Sequence, residues 1–348
     1  MAPKLHLNYI GSKKTLLPTL LPFFAEHVNA ETTFIDLFAG TGSVGRGVQE
    51  AFQCRVVAND LQYYAFAINS AILTDYTPEE RASIGETIRA YNAYVAHPDA
   101  DAPGGFIARH YAPPARSYFT RENAVRMDIL RARLERDLYE GTLSPRVYTY
   151  VLAALLIAAD RVANTSSVYA SYLKKFKASA LRPLVLPEDA EAPAAAPAAA
   201  ASEVFHGDAV TLLDTLPENP NAVVYLDPPY NGRQYSVYYH ILETLALADD
   251  PALHGVTGMR DQNNLSDFSS KIRAAVAFRD LFTRLRKFPT IMLSYNDEGI
   301  VPIADLVQMM ETAYGGVVTV HAMPYRKFKA QKSVKRKMVT EHLIVATR

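Results

Sequence analysis

Thr33-Phe34-Ile35-Asp36-Leu37-Phe38-Ala39-Gly40-Thr41-Gly42 opens as an apolar run, meets an acid at its fourth residue and ends in a glycine turn. A helix-compatible stretch, Ser43 to Phe52, follows, so the segment reads as strand, loop and helix. Arg55 to Ala58 reads as a second buried strand ending at Asn59-Asp60, and Tyr63 to Leu73 as the next helix. This βαβα start predicts an α/β fold.

The same pattern returns far along the chain. Ala222 to Leu226 reads as a third strand delivering Asp227, Thr290 to Leu293 as a fourth delivering Ser294-Tyr295-Asn296, and Glu341 to Ala346 as a last one. From Asp75 to about Arg182 the pattern is helical and rich in Tyr and Arg, with turn signals at Pro98, Gly104-Gly105 and Pro113-Pro114. Pro187 to Ala201 is almost all Ala and Pro, a low-complexity linker with nothing to pack a core. The expected organisation is a sheet domain in two parts, 1–74 and 204–348, split by a helical insertion, 75–185, and a linker, 186–203.

Composition narrows the function classes. Hydrophobic residues make up 49% of the 348 and charged residues 21%, the balance of a globular protein, and no apolar run reaches membrane-spanning length. The Met-Ala-Pro-Lys start has no apolar signal core, so the expected location is the cytoplasm of a bacterium or a phage-infected cell, with no membrane partner. A single cysteine, Cys54, excludes an intrachain disulfide and a zinc site built on paired cysteines, and reads as a small buried residue in a strand. A formal net charge of +0 leaves any case for a polyanionic partner to local clusters.

Gly40-Thr41-Gly42-Ser43-Val44-Gly45 has dinucleotide-loop spacing, and Asp60 lies 60 − 40 = 20 residues past Gly40, where a ribose-binding acid falls. Glycines let the backbone approach a ligand, and a carboxylate after the next strand accepts hydrogen bonds from ribose hydroxyls. The loop alone suits NAD and S-adenosylmethionine equally, or serves as a tight strand-to-helix turn. Asp36 at the strand end tilts the choice, because a second carboxylate suits a cationic ammonium and sulfonium better than a pyrophosphate.

Asp227-Pro228-Pro229-Tyr230 should sit just past the carboxyl end of a strand, where open α/β sheets bind ligands. Adenine N6 is a weak nucleophile because its lone pair is delocalised into the ring. Acceptors aimed at its hydrogens draw it toward tetrahedral geometry. Asp227 supplies a carboxylate, Pro228 favours a fixed turn that aims a main-chain carbonyl, and Tyr230 can stack on a base. Alone the tetrapeptide could be a turn; hydride transfer, however, has no need of it.

With these motifs in this order, the chain resembles the adenine-N6 DNA methyltransferases of the alpha arrangement, the D12 class of Dam-like and FokI-like modification enzymes. The resemblance spans nearly the whole chain. Asn8-Tyr9-Ile10-Gly11-Ser12-Lys13-Lys14 is similar to the family's N-terminal cofactor motif, and Phe34 through Gly42 to its cofactor loop. The resemblance implies a Rossmann-like S-adenosylmethionine-dependent sheet with an inserted, mostly helical target-recognition region. It also implies cofactor-binding roles for Tyr9, Lys13, Asp36, Phe38, Gly40, Gly42, Asp60, Asp227 and, in His206-Gly207-Asp208-Ala209, Asp208. Catalysis falls to Asp227, Pro228, Pro229 and Tyr230, with S-adenosylhomocysteine as product and no metal or redox cofactor. Tyr118 to Ala124, Asn164 to Tyr169 and Tyr225 to Tyr239 look closer to the FokI-like branch than to Dam. Ser294-Tyr295-Asn296 looks like a later motif lining the target base, or a polar strand-end turn.

Double-stranded DNA is the expected partner, with a cognate restriction endonuclease beside it. Arg326, Lys327, Lys329, Lys332, Lys335, Arg336 and Lys337 crowd the segment before the last strand, and Lys174, Lys175, Lys177 and Arg182 form a second basic group; either can contact phosphates or face solvent. Asn231, Arg233, Gln234 and Tyr235 could hold a flipped adenine or the opened duplex. The open alternatives are an RNA adenine methyltransferase, a catalytically silent binding protein on the same fold, and an NAD-dependent oxidoreductase.

Overall fold

The structure is a computed structural model that describes residues 5–96, 104–188, 193, 201–232, 234–261, 265–326 and 338–348. The chain forms two compact units, each drawn from three segments. One comprises Met1–Ile10, Tyr63–Ala195 and Ser236–Asn263, the other Gly11–Gln62, Ala196–Tyr235 and Asn264–Arg348.

The strands among the described residues are β1 Thr33–Asp36, β2 Arg55–Asp60, β3 Glu203–His206, β4 Ala222–Leu226, β5 Leu253–His254, β6 Met259–Arg260, β7 Thr290–Asn296, β8 Val317–Arg326 and β9 Met338–Thr347. β5 and β6 pair with each other in the first unit. The other seven form one sheet in the second unit, in the order β3-β2-β1-β4-β7-β9-β8. β3, β2, β1, β4 and β7 run parallel, and β9 lies antiparallel between β7 and β8. This is a Rossmann-like α/β sheet.

Parallel strands covered on both faces read as continuous apolar runs. β4, Ala-Val-Val-Tyr-Leu, is buried at every position, and so is β7. Strand order reverses between β1 and β4, the switch point outside whose carboxyl ends ligands bind in open α/β sheets. Asp36, Asp60 and Asp227 stand at or just past the ends of β1, β2 and β4. Cys54 is buried immediately before β2, and burial pushes its thiol up to about 11.

The strands differ from the sequence reading where neighbours extend them. β2 runs on to Asp60 because Val57 to Asp60 pair with β3. β7 continues through Asn296 because it pairs with β9 along its whole length, and β9 starts before Glu341 because Met338 to Thr340 pair with β8. The sequence reading passed over β3 and β8, although Val317-Val318-Thr319-Val320 opens β8. Both are edge strands: β3 has no fully buried residue, and Val317 and Val320 of β8 are exposed.

The first unit is mostly helical. Helices Tyr63–Leu73, Pro78–Tyr94, Arg121–Tyr139 and Pro145–Arg161 are its main elements, with His240–Leu247 added from the third segment. Pro145–Arg161 is buried from Tyr150 through Ala159 on every side, the pattern of a central helix. Thr77, Thr120 and Ser144 cap three of the helices by accepting from backbone N–H groups. The expected 75–185 segment falls inside this unit, together with the helix Tyr63–Leu73. No helix among the described residues is long and apolar enough to cross a membrane.

Ile291 lies at the middle of the sheet in β7, fully buried between β4 and β9. Ile291→Ala should cost about 2–5 kcal/mol, the range for truncating a core aliphatic chain. Urea unfolding of the variant checks this, with the loss confined to the transition of the sheet unit.

Candidate functional site

At the carboxyl ends of β2 and β1 the pair Asn59-Asp60 fixes the chain. Buried Asn59 donates from Nδ2 to the Leu37 and Gly207 carbonyls, both at 3.1 Å, tying the exits of β1 and β3 together. Asp60 accepts from the Gly40 N–H through Oδ2 at 2.8 Å and from the Gln62 N–H through Oδ1 at 2.9 Å. Gly40 and Gly42 have φ of 53° and 72°, left-handed values that favour glycine, so the loop turns directly into the helix Ser43–Phe52. Asp60 thus holds the glycine loop's shape.

Asp36 ends β1 with 1% exposure, and its Oδ1 has no hydrogen-bond partner among the described residues. Burial, with Asp227 and Asp60 nearby, pushes its carboxyl up to about 8. An orphaned buried carboxylate oxygen beside two further acids is a site for a cation.

Lys13 is the cation that this cluster contains. It opens the short turn Lys13–Thr15, is 7% exposed, and donates from Nζ to Asp227 Oδ1 at 2.6 Å. Its second acid is Glu341 of β9, with Nζ to Oε1 at 3.3 Å. Burial opposes its charge, but Asp227 and Glu341 more than compensate and hold the ammonium well above the ordinary lysine range. Asp227 moves the other way from most paired acids: burial pushes its carboxyl up to about 6, with Lys13 opposing and Glu341 adding to the rise.

The Asp227–Tyr230 loop is pinned at its far end. The Tyr230 carbonyl accepts from the Ile300 N–H at 2.7 Å, and the ring packs edge-on against Tyr295, centroids 5.9 Å apart, with Lys13 Nζ 5.8 Å from the ring centre. Pro228 is buried and Pro229 half-buried. Ser294-Tyr295-Asn296 is spent on structure: Ser294 Oγ donates to Glu341 Oε1, Tyr295 Oη accepts from the Val301 N–H, and Asn296 Oδ1 accepts from the Glu298 N–H.

Lys13, Asp36, Gly40, Gly42, Asp60 and Asp227 to Tyr230 thus gather in the sheet unit, with Phe38 edge-on to Phe268 there. Asp208 caps the helix Ala209–Thr215, its Oδ1 accepting from the Val210 and Thr211 N–H groups. Tyr9 belongs to the helical unit, stacked on Tyr239 at 4.7 Å. Its segment is held there by the Asn8 N–H on Asp160 and the Ile10 N–H on the Tyr239 hydroxyl. Glu341 and Asn59 are the site residues that sequence reasoning passed over. An acid amid the apolar positions of a final strand was the available signal for Glu341.

The residues read as DNA contacts fall in both units and partly outside the described residues. Lys174 and Lys175 are exposed, whereas Lys177 Nζ donates to the Thr165 carbonyl at 2.9 Å. The Tyr235 hydroxyl lies 2.6 Å from where a Cβ on Gly11 would stand. Arg326 ends β8, and Arg233, Lys327 and Lys329 lie outside the described residues.

A family model described as the D12 class N6 adenine-specific DNA methyltransferase matches residues 9–309. The chain is 35% identical to the type II methyltransferase M.NlaIII of Neisseria lactamica, over 95% of each protein. It is 31% identical to the type II methyltransferase M.CviAII of Paramecium bursaria Chlorella virus 1, over 97% of each. The type II methyltransferase M.FokI of Planomicrobium okeanokoites is 30% identical, the match covering 97% of this chain and 52% of that longer protein.

Removing the ammonium strands the half-buried carboxylate of Asp227 and the buried one of Glu341. Lys13→Met should lower stability by about 3–5 kcal/mol at pH 8, the cost of breaking a buried pair from one side. Without Lys13 the Asp227 carboxyl rises further above its unfolded value, so the penalty is full at high pH and shrinks as acid protonates it. Unfolding curves at pH 8 and pH 5.5 should show the variant regaining stability relative to the native protein at the lower pH.

Proposed function

The chain belongs to the D12 class of N6 adenine-specific DNA methyltransferases, and on that premise we propose that Asp227 through Tyr230 receive the target adenine while Asp36, Asp60 and the Gly40–Gly42 loop hold S-adenosylmethionine. The single observation that carries this reading is the placement of Asp36, Asp60 and Asp227 at the ends of adjacent strands, with Lys13 on Asp227 alone of the three. Bound there, S-adenosylmethionine supplies an electrophilic methyl group on a sulfonium sulfur. The orphaned Asp36 Oδ1 answers the cofactor's positive charge, and Asp60 accepts from ribose hydroxyls.

Lys13 occupies Oδ1 of Asp227, and Oδ2 accepts no hydrogen bond from the described residues. Oδ2 is the acceptor for one amino hydrogen of a flipped adenine, and the Pro228 carbonyl for the other. Tyr230, braced by Tyr295, offers its ring to the base. As the amino nitrogen takes the methyl group it sheds a proton, and Asp227, with a carboxyl near 6, accepts it and returns it to water.

The full-length relatives are named type II methyltransferases, which supports a site-specific modification enzyme of a restriction-modification system, with a cognate endonuclease as its biological counterpart. S-adenosylhomocysteine is the second product, no metal takes part, and the place of action is the cytoplasm of a bacterium or a phage-infected cell. Sequence recognition falls to the helical unit, with exposed Lys174 and Lys175, and with Tyr235, Arg233, Arg326, Lys327 and Lys329, as the contacts on DNA.

Asp227→Asn should lower methyl transfer to duplex DNA by at least about a hundredfold, as loss of a preorganised polar group does, while S-adenosylhomocysteine still binds. Full activity in that variant overturns the mechanism, and saturable NAD binding without S-adenosylmethionine binding overturns the assignment. Asp36, near 8, is largely protonated at neutral pH until a cation arrives and draws off its proton. Cofactor affinity should therefore rise with pH up to about 8. Calorimetry in buffers of different ionisation enthalpy should show a proton released on binding, and Asp36→Asn should abolish that release.

A further inference from the structure

Lys13 divides its ammonium between two acids on different strands. Leu226 of β4 is paired with Leu293 of β7, next to Ser294, and Asn296 of β7 with Glu341 of β9, so Asp227, Ser294 and Glu341 belong to three neighbouring strands or their exits. Glu341 is 4% exposed, and its Oε1 accepts from Ser294 Oγ at 2.8 Å while facing Lys13 Nζ at 3.3 Å. The methyl-transfer reading gives Asp227 and Lys13 their tasks and leaves this buried acid without one.

An ammonium with one carboxylate partner is drawn toward both of its oxygens, whereas a second fixed carboxylate on the far side holds it to a single contact. Resting on the reading of Asp227 as the acceptor for the amino group, we propose that Glu341 is a positioning residue: held by Ser294, it anchors Lys13 on Oδ1 of Asp227 and so reserves Oδ2 for the target base. Glu341 works through Lys13 and touches no substrate. Its negative charge also keeps Asp227 from being over-neutralised, which would weaken it as an acceptor.

The groups facing Asp227 are Lys13 from its turn, Asp36 from β1, Tyr225 from β4 and Glu341 from β9, while Tyr230 from the motif loop faces Lys13. Of these, Glu341 can lose its charge without removing a ligand-facing group. In Glu341→Gln the like charge is gone and Lys13 closes fully on Asp227, so the Asp227 carboxyl should fall.

The test is a pH titration of cofactor-free protein with carboxyl-13C aspartate, the Asp227 signal being identified by its absence in Asp227→Asn. Native Asp227 should titrate near 6, and in Glu341→Gln lower by about one unit, the size of a nearby-charge effect. Glu341→Asp, which keeps the charge, should stay with the native protein. In single-turnover assays Glu341→Gln should lose about ten- to a hundredfold in rate, as for a misplaced reacting group, with its acid limb shifted the same way and cofactor Kd unchanged.

An unmoved Asp227 titration in Glu341→Gln overturns the proposal, as does an equal shift in Glu341→Asp. Should Glu341→Gln fail to fold, Ser294→Ala decides: Glu341 then draws Lys13 harder and the Asp227 titration should rise, an unmoved value again overturning the proposal. The titration needs neither DNA nor cofactor. Native protein that transfers no methyl group to DNA defeats the functional reading, while the titration still judges Glu341.

Discussion

A carboxylate taken out of water requires a counter-charge, hydrogen-bond donors or a proton, and this protein applies each remedy to a different acid at one edge of its sheet. Asp60 has backbone N–H donors, Asp227 and Glu341 share Lys13, and Asp36, whose backbone donors at Phe38 and Gly45 do not offset its burial, takes a proton near neutrality. The rest of the sheet unit is arranged so that these remedies do not compete. Asn59 ties the exits of β1 and β3, and β9 runs antiparallel beside β7 so that Glu341 comes up on the same edge. Among the acids of this cluster, Asp36 keeps a buried oxygen, Oδ1, with no hydrogen-bond partner among the described residues.

Much of this was legible because parallel strands write themselves as apolar runs. Thr33 to Asp36, the helices Ser43–Phe52 and Tyr63–Leu73, and Ala222 to Leu226 have the bounds the sequence suggests. β3 and β8 escaped because edge strands keep one side in water and interleave polar residues with apolar ones. Among the site residues, the acids at strand ends were readable from position alone. Glu341 was not, since it looked like the polar boundary of a strand that in fact begins earlier. Asp208 shows the opposite limit: the family resemblance suggested a ligand contact, and its Oδ1 serves first as a helix cap.

The Tyr- and Arg-rich character of the helical unit has a structural origin as well. Arg126 donates to the Val95 and Ala96 carbonyls, and Arg131 to those of Leu245 and Ala246, so each satisfies the end of another helix in its unit. Arg116 donates to the Gly255 and Val256 carbonyls in the turn between β5 and β6. Tyr111, Tyr118, Tyr150 and Tyr169 are fully buried, and three of these hydroxyls bond to protein acceptors: Tyr111 to the Gly258 carbonyl, Tyr118 to the Tyr169 carbonyl and Tyr169 to Asp160. Composition that suggests a nucleic-acid surface is, at these positions, the means of closing a core whose helix ends meet inside it.

The position of β9 bears on how the protein is made. It is the last of the strands in sequence, yet it lies between β7 and β8 in the sheet. As the chain leaves the ribosome, every segment of the helical unit has emerged before β7 does. That unit can assemble while β7 still shows an open edge and β8 has nothing to pair with. Until Met338–Thr347 arrives, the nascent protein carries exposed strand edges, the feature by which partly folded chains stick to one another.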